Sequence, residues 1–438
     1  MPRRTLWLIF AVVVVSLACY ERADRNPYGR WFAEALDTVD RYYVDPVDEQ
    51  KLFEGALGGM IGRLDEYSAF LPRNLAPQFQ QALDQQYGGI GIEVTLEGDD
   101  RQLTVMSPLV GTPAYKAGVR AGDKILAIDG RATGNRPLDE IVRSLRGKPG
   151  DPVSITVLRK GHDQPLEFDL VRAKIKVDSI LGDLRQGDGT WNYFLPGDDK
   201  IGYVRINSFG ESTVVELNAA LEWLSQRGCR GLILDMRNNP GGLLQAAEEV
   251  CDLFLPEGAV IVTTRGRDAL VRNEARATGA GQYPSLPLVV LVNDKSASAA
   301  EIVAACLQDH HRAAIVGERT WGKGTVQNVI PLEGGRSLLK LTIASYWRPN
   351  GQNIHRLESS KDGDEWGVKA DPGCEVKLDE KQTSQWLDKR RQRDVVPNTQ
   401  QSPGDPAPIS PDESPVDFDP QLSRAVQVLN EALAKKAT

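Results

Sequence analysis

The sequence predicts a multidomain α+β protein, and three observations predict it. A helical opening gives way near residue 87 to short strands and turns. Near residue 174 these give way to strands alternating with helices, the pattern of a largely parallel sheet. The chain has 438 residues, enough for two or three domains at roughly 100–200 residues each.

The elements follow in order. Over 28–80 the pattern is helical. "RWFAEALDTVDRYYV" sets Trp31, Ala35, Leu36, Val39 and Tyr43 on one stripe, at spacings of three and four. "LFEGALGGMIGRL" is a second helix, weakened by glycines, and "DEYSAFLP" ends the region. Over 87–173, "GGIGIEVTL", "RQLTVMSP" and "DPVSITVLRKG" read as strands rich in branched residues. "TPAYKAGV" and "LDEIVRSLRG" read as short helices, and "RAGDKILAIDG" as a turn and a buried strand. Over 174–395 the strands "KIGYVRI", "GLILDMR", "PLVVLVN" and "AAIVGE" are interleaved with the helices "STVVELNAALEWLSQRG", "LLQAAEEVCDLF" and Ser298–Gln308. "RSLLKLTIASYWRPNG" adds strand. Residues 396–418 are rich in Pro, Ser and Asp and read as a flexible linker. Residues 419–438 close the chain as an amphipathic helix.

Composition bounds the partners. Net charge is −8 with no long basic run, which argues against nucleic acid. "MPRR" followed by "TLWLIFAVVVVSLAC" has the basic and apolar segments of an export signal. Residues 1–20 are therefore a signal peptide or a membrane or lipid anchor, with Cys19 open to lipidation. On each version the chain is exported and works in the cell envelope or periplasm. The cysteines Cys19, Cys229, Cys251, Cys306 and Cys374 form no C-x-x-C pair and no zinc-spaced cluster with histidine. Buried thiols and a disulfide both remain open.

"VNDKSASAAEIVAACLQDHH" carries the chemistry. It sets Ser296 and Ser298 in a small-residue turn before a helix. A serine hydroxyl needs a base before it attacks. His310 and His311 stand at the far end of the same helix, roughly 18 Å away by helical rise. His162 lies in a turn, and His355 has no acid partner in its local sequence. A lysine can replace histidine when burial lowers its pKa. Lys323 in "GERTWGKGTVQ" is the candidate, because Gly322 and Gly324 permit close backbone approach and Trp321 helps desolvate an amine. Its loop follows a strand that ends on the same sheet edge as the serine loop. The alternative is a solvated surface lysine. Ala299 and either Gly241 or Gly242 of "NNPGG" can turn N–H groups toward a developing oxyanion.

Together these segments resemble the C-terminal (tail-specific) processing proteases, peptidase family S41. The motifs "DEYSAFLP", "YGGIGIEV", "GTPAYKAGVRAGDKILAIDG", "GLILDMRNNPGGLL", "VNDKSASAAEIVAACLQD", "GERTWGKGTVQ" and "RPNGQNI" occur in that order. The resemblance implies a crotonase/ClpP-like α/β protease core with an inserted PDZ domain and an N-terminal helical region. It gives Ser298 the nucleophile's role, Lys323 the base's and Gln327 that of orienting the lysine. It gives Gly242 (or Gly241) and Ala299 the oxyanion hole, while Ser296, Asp235 and Glu301 are read as structural. The PDZ domain would take a protein's C-terminus as an added strand, with its carboxylate at the loop Gly88, Gly89, Ile90, Gly91 and Ile92. Arg159 loosely matches an arginine through which the family's PDZ domain contacts the glutamine. No metal or organic cofactor is required. The N-terminal helices and the closing helix are candidate homodimer contacts, and the N-terminus a candidate membrane attachment. About ten extra residues after "QNI" predict a surface loop over 355–368. A non-catalytic PDZ scaffold and a crotonase-like acyl-CoA enzyme are the rival readings.

Overall fold

The structure, a computed structural model, describes residues 4–5, 7, 10, 12–14, 27–97, 101–197, 200–361, 363–396 and 413–437. Cys19 and most of the expected leader lie outside the described residues, as does residues 397–412 of the expected linker. Among the described residues no helix is long and apolar enough to cross a membrane. The chain divides into two units, residues 1–76 with 327–342, and residues 77–326 with 343–438.

In the first unit the helix Pro27–Tyr42 carries the expected stripe but buries none of its residues. Trp31, Val39 and Tyr43 are exposed. Asp48 caps the helix Glu49–Ile61, accepting from the Lys51 N–H at 3.2 Å. Asp65 then gathers the N–H groups of Tyr67 and Ser68 and the Ser68 hydroxyl, each at 2.8 Å. That turn launches the strand Ala69–Leu71, which pairs antiparallel with Leu338–Lys340. Arg73 and Glu333 form an ion pair at 2.6 Å.

In the second unit a sheet runs in the order Ile92–Glu97, Gln102–Pro108, Lys124–Ile128, Pro152–Leu158, Leu166–Val171, every neighbour antiparallel. Alternation in "VSITV" sends Val153, Ile155 and Val157 inward against Ile125 and Ile141. Ile92–Glu97 is an edge strand.

The core sheet runs Ile180–Leu181, Ile201–Ile206, Gly231–Asp235, Leu288–Val292, Ala314–Gly317, and the last four strands are parallel. Strands Gly231–Asp235 and Leu288–Val292 are buried at every position, as expected for strands covered on both faces. Leu232, Leu234, Val290 and Val292 pack with the helices Thr213–Gln226, Leu244–Asp252 and Ala299–Asp309. Ile233, Val289 and Leu291 pack instead with Leu422, Ala425 and Leu429 of the closing helix Pro420–Ala437.

The sequence reading had no place for the antiparallel pair Val260–Arg265 and Val271–Arg276 or for the helix Glu380–Asp394. This helix buries Trp386, Arg390 and Arg393, and both arginines bind Asp183. A second charged knot lies where the strand Gly231–Asp235 ends. Arg237 is fully buried, pairs with Asp235 at 2.6 Å and Asp419 at 2.8 Å, and lies 4.4 Å over Trp386. The Tyr203 hydroxyl donates to Asp235 at 2.6 Å. Cys229, Cys251, Cys306 and Cys374 are free thiols, Cys229 half-buried and the others buried.

Candidate active site

Three loops leave the same edge of the parallel sheet. Register pairs Asp235 with Leu291 and Val292 with Gly317, so the chain exits there after "LILD", "LVVLV" and "AIVG". These are the glycine loop, the serine loop and the lysine loop, placed at the strand ends where open α/β sheets hold their sites.

Asparagines tie the first two loops together. Asn239 is fully buried; its amide donates to the Ile206 carbonyl at 2.7 Å and its Oδ1 accepts from the Gly241 N–H at 2.8 Å. Its own carbonyl accepts from the Ala297 N–H at 2.9 Å. Asn238 and Asn293 bond reciprocally, at 2.8 and 2.9 Å. The sequence reading did not single out these asparagines, because nothing local marks which residues will meet from positions more than fifty apart.

The two serines separate by environment. Ser296 is fully buried, donates to the Met236 carbonyl at 2.8 Å and accepts from the Asn293 N–H at 2.9 Å. It is a tie between loops. Ser298 precedes the helix Ala299–Asp309 with φ 56° and ψ −114°. Such a backbone costs a non-glycine residue about 1–3 kcal/mol and persists only where its surroundings hold it.

What holds it is Glu301, fully buried on the helix's first turn. Its Oε2 accepts from the N–H groups of Ser298 and Lys323, both at 2.8 Å. Its Oε1 accepts from the Thr320 hydroxyl at 2.6 Å and the Gly322 N–H at 2.7 Å. Burial pushes this carboxyl above the ordinary range, and those four hydrogen bonds work against the push. One carboxylate thus fastens the serine loop to the lysine loop.

The lysine loop is braced from its other side. A side chain at Gly324 would stand 2.3 Å from the His355 nitrogen, and one at Gly322 would meet Arg356 and Trp366. The glycines do permit the close approach that the sequence suggested. Trp321 departs from expectation: its ring is 52% exposed. Lys323 is half-buried. The residues 356–359 and 363–365 of the extra segment are exposed, and Trp366 packs back under the loop.

The two glycines of the glycine loop differ in what their N–H groups meet. Gly241 spends its N–H on Asn239. Among the described residues no group accepts the N–H of Gly242 or that of Ala299, the first residue of the helix. A side chain at Gly242 (φ 145°) would lie 1.9 Å from the Phe209 carbonyl oxygen, so only glycine fits.

Gln327 belongs to the first unit, where its amide donates to the Thr342 hydroxyl at 3.2 Å. Arg159 grips Asp123 with two bonds at 2.7 Å and donates to the Gly118 carbonyl at 2.8 Å. That is a fastening within its own domain. Gly88 and Gly89 form the strand Gln86–Gly89, paired with Ala173–Lys176, and so are not part of an open loop. Ile90 and Gly91 connect it to the edge strand, which starts at Ile92. His310 bonds the Val260 carbonyl at the far end of the serine's helix.

A model of peptidase family S41 matches residues 200–364, and one of the PDZ domain matches residues 104–159. The carboxy-terminal-processing protease of Bartonella bacilliformis is 38% identical over 365 residues, 82% of this chain and 80% of that protein. The carboxyl-terminal-processing protease of Synechocystis sp. is 35% identical over 322 residues, covering 73% and 72%. Among solved structures, the photosystem II D1 C-terminal processing protease is 30% identical, covers 79% of this chain and 92% of that one, and has a TM-score of 0.44.

Proposed function

From a chain that belongs to the carboxy-terminal processing proteases of peptidase family S41, serine peptidases here carrying a PDZ domain, we propose an endopeptidase that cleaves exported proteins recognised by their C-termini, with Ser298 as nucleophile and Lys323 as base. One observation carries this reading: the buried Glu301 carboxylate binds the backbone of both residues, which stand 25 apart in sequence.

The substrate's C-terminus adds as a strand to the edge strand Ile92–Glu97, with its carboxylate at the turn through Ile90 and Gly91. Neutral Lys323 takes the Ser298 proton. The serine oxygen attacks the amide carbon, and the N–H groups of Gly242 and Ala299 receive the oxyanion. Collapse breaks the C–N bond, and the departing amine takes the proton back from Lys323. Water, deprotonated by the same lysine, then frees the acyl group from Ser298. Gln327 keeps the orienting role that the family resemblance gives it, and Gln327→Ala tests that role.

Export to the envelope or periplasm rests on the basic and apolar opening of the sequence. Mass spectrometry of the mature N-terminus distinguishes a cleaved signal, a lipid on Cys19 and an uncleaved anchor. A homodimer through the exposed N-terminal helix is checked by sedimentation. The central test incubates the purified full chain with an unfolded protein, wild type beside Ser298→Ala and Lys323→Ala. Cleavage is expected from the wild type alone; equal cleavage by either variant ends this mechanism.

A further inference from the structure

Gln85 stands between the helix Ala76–Leu83 and the strand Gln86–Gly89. It is buried, and its φ of 53° lies in the left-handed region that glutamine rarely adopts. Such a backbone persists only where its surroundings hold it. Its carbonyl accepts from the Val177 N–H at 2.9 Å. Its side chain reaches the turn 208–213, which leads from the strand Ile201–Ile206 into the helix Thr213–Gln226. Oε1 accepts from the Ser212 hydroxyl at 2.7 Å, and the amide makes longer bonds to the Ser208 and Thr213 hydroxyls, at 3.4 and 3.5 Å. A methyl at Gly210 would stand 2.2 Å from the Gln85 Cδ, so the amide lies directly against that glycine.

The same turn holds the glycine loop. Phe209 lies between Ser208 and Gly210, the two residues that the Gln85 amide touches. Its N–H donates to the Gly241 carbonyl at 2.9 Å, and its carbonyl accepts from the Leu243 N–H at 2.8 Å. These bonds bracket Gly242, which forms a parallel bridge with Phe209. The Gly241 carbonyl and the Gly242 N–H are opposite ends of one planar peptide unit. Holding the carbonyl on Phe209 therefore fixes the direction of the Gly242 N–H.

We infer that Gln85 is a positioning residue for the oxyanion hole: its side chain fixes the turn 208–213, and Phe209 in that turn aims the Gly242 N–H at the substrate oxygen. This rests on the reading of Ser298 as nucleophile and Gly242 as oxyanion donor. A tilted peptide plane matters little until the substrate oxygen carries charge. A hydrogen bond weakens steeply as its angle closes, and donors preset toward the developing oxyanion are the ones that accelerate acyl transfer. Loss of the brace therefore falls on the transition state, and so on kcat, while substrate binding is left alone.

The test is Gln85→Gly in the full chain. Glycine suits the left-handed backbone, so the change removes the brace and relieves strain at once. The readouts are kcat and KM per titrated active site, and affinity for a peptide aldehyde, whose oxygen enters the oxyanion hole when Ser298 adds to it. The expected result is a kcat lower by roughly 10-fold, aldehyde affinity falling in parallel and KM within about twofold of wild type. A kcat within about twofold of wild type overturns the inference. So does a loss that falls wholly on KM, or one that leaves aldehyde affinity unchanged. Ser298→Ala, run alongside, separates the failures. If Ser298→Ala still cleaves, the nucleophile reading falls; if it is inert while Gln85→Gly is fully active, only the glutamine's role falls. Should Gln85→Gly not fold, Gly210→Ala displaces the same amide from the other side, since the three atoms nearest its methyl all belong to Gln85. The same split of kcat from KM supports the role, and an unchanged kcat refutes it.

Discussion

Replacing Glu301 by glutamine is the sharpest test of how the site is held. The carboxylate accepts four hydrogen bonds, two on each oxygen, at 2.6 to 2.8 Å. Glutamine keeps one accepting oxygen and presents an NH2 to the other two donors. In one amide orientation the NH2 faces Ser298 and Lys323; in the other it faces Gly322 and Thr320. Two buried donors are left unmet, at about 1–3 kcal/mol each. The two surviving bonds lose their ionic character. Ending the burial of a charge returns part of this. A net loss of about 3 kcal/mol follows, which lowers Tm by roughly 3 °C in a protein of 438 residues. Activity suffers as well, since a 1 Å displacement of catalytic groups can cost about 100-fold. Calorimetry and peptide hydrolysis measure the two effects. A Glu301→Gln enzyme that melts like wild type and keeps its kcat would refute the idea that this carboxylate assembles the site.

Three further outcomes are expected. Gly242→Ala meets the Phe209 carbonyl oxygen at 1.9 Å in a backbone region alien to alanine, so peptide hydrolysis is lost and labelling of Ser298 by a fluorophosphonate slows with it. Asp419→Ala takes one of two carboxylates from the buried Arg237 guanidinium, leaves Asp235 paired with it, and costs about 1–3 kcal/mol in urea unfolding. An unchanged midpoint would mean that Arg237 finds another partner. The Arg73 guanidinium beside Glu333 holds that carboxyl down at about 2. The folded value is below the unfolded one, so this pairing supports the fold above about pH 4.5 and is lost as pH falls through about 2. Carbon-13 titration of Glu333 reads this directly, and Arg73→Ala should raise it toward the ordinary carboxylate range.

Periodicity made the parallel core legible, because strands such as "LILD" and "LVVLV" are apolar throughout and the intervening helices show one apolar stripe. Ser298 was legible by resemblance, and its neighbours came with it. Other features carry no local signal. The helix "EKQTSQWLDKRRQRD" has no apolar stripe, because two of the three residues it buries are arginines paired with Asp183, about two hundred positions earlier. Glu301 reads in sequence as an ordinary acid at a helix start. Its importance comes from meeting Lys323 and Gly322, which only the folded sheet edge brings near.

The knot around Arg237 has a consequence for how the glycine turn is held. Arg237 immediately precedes the glycine turn, and one of its two acidic partners, Asp419, stands 182 positions further along the chain. The turn is therefore braced by a contact that forms only when two distant parts of the chain have met, so loosening the Asp419 segment is expected to loosen the glycine turn as well.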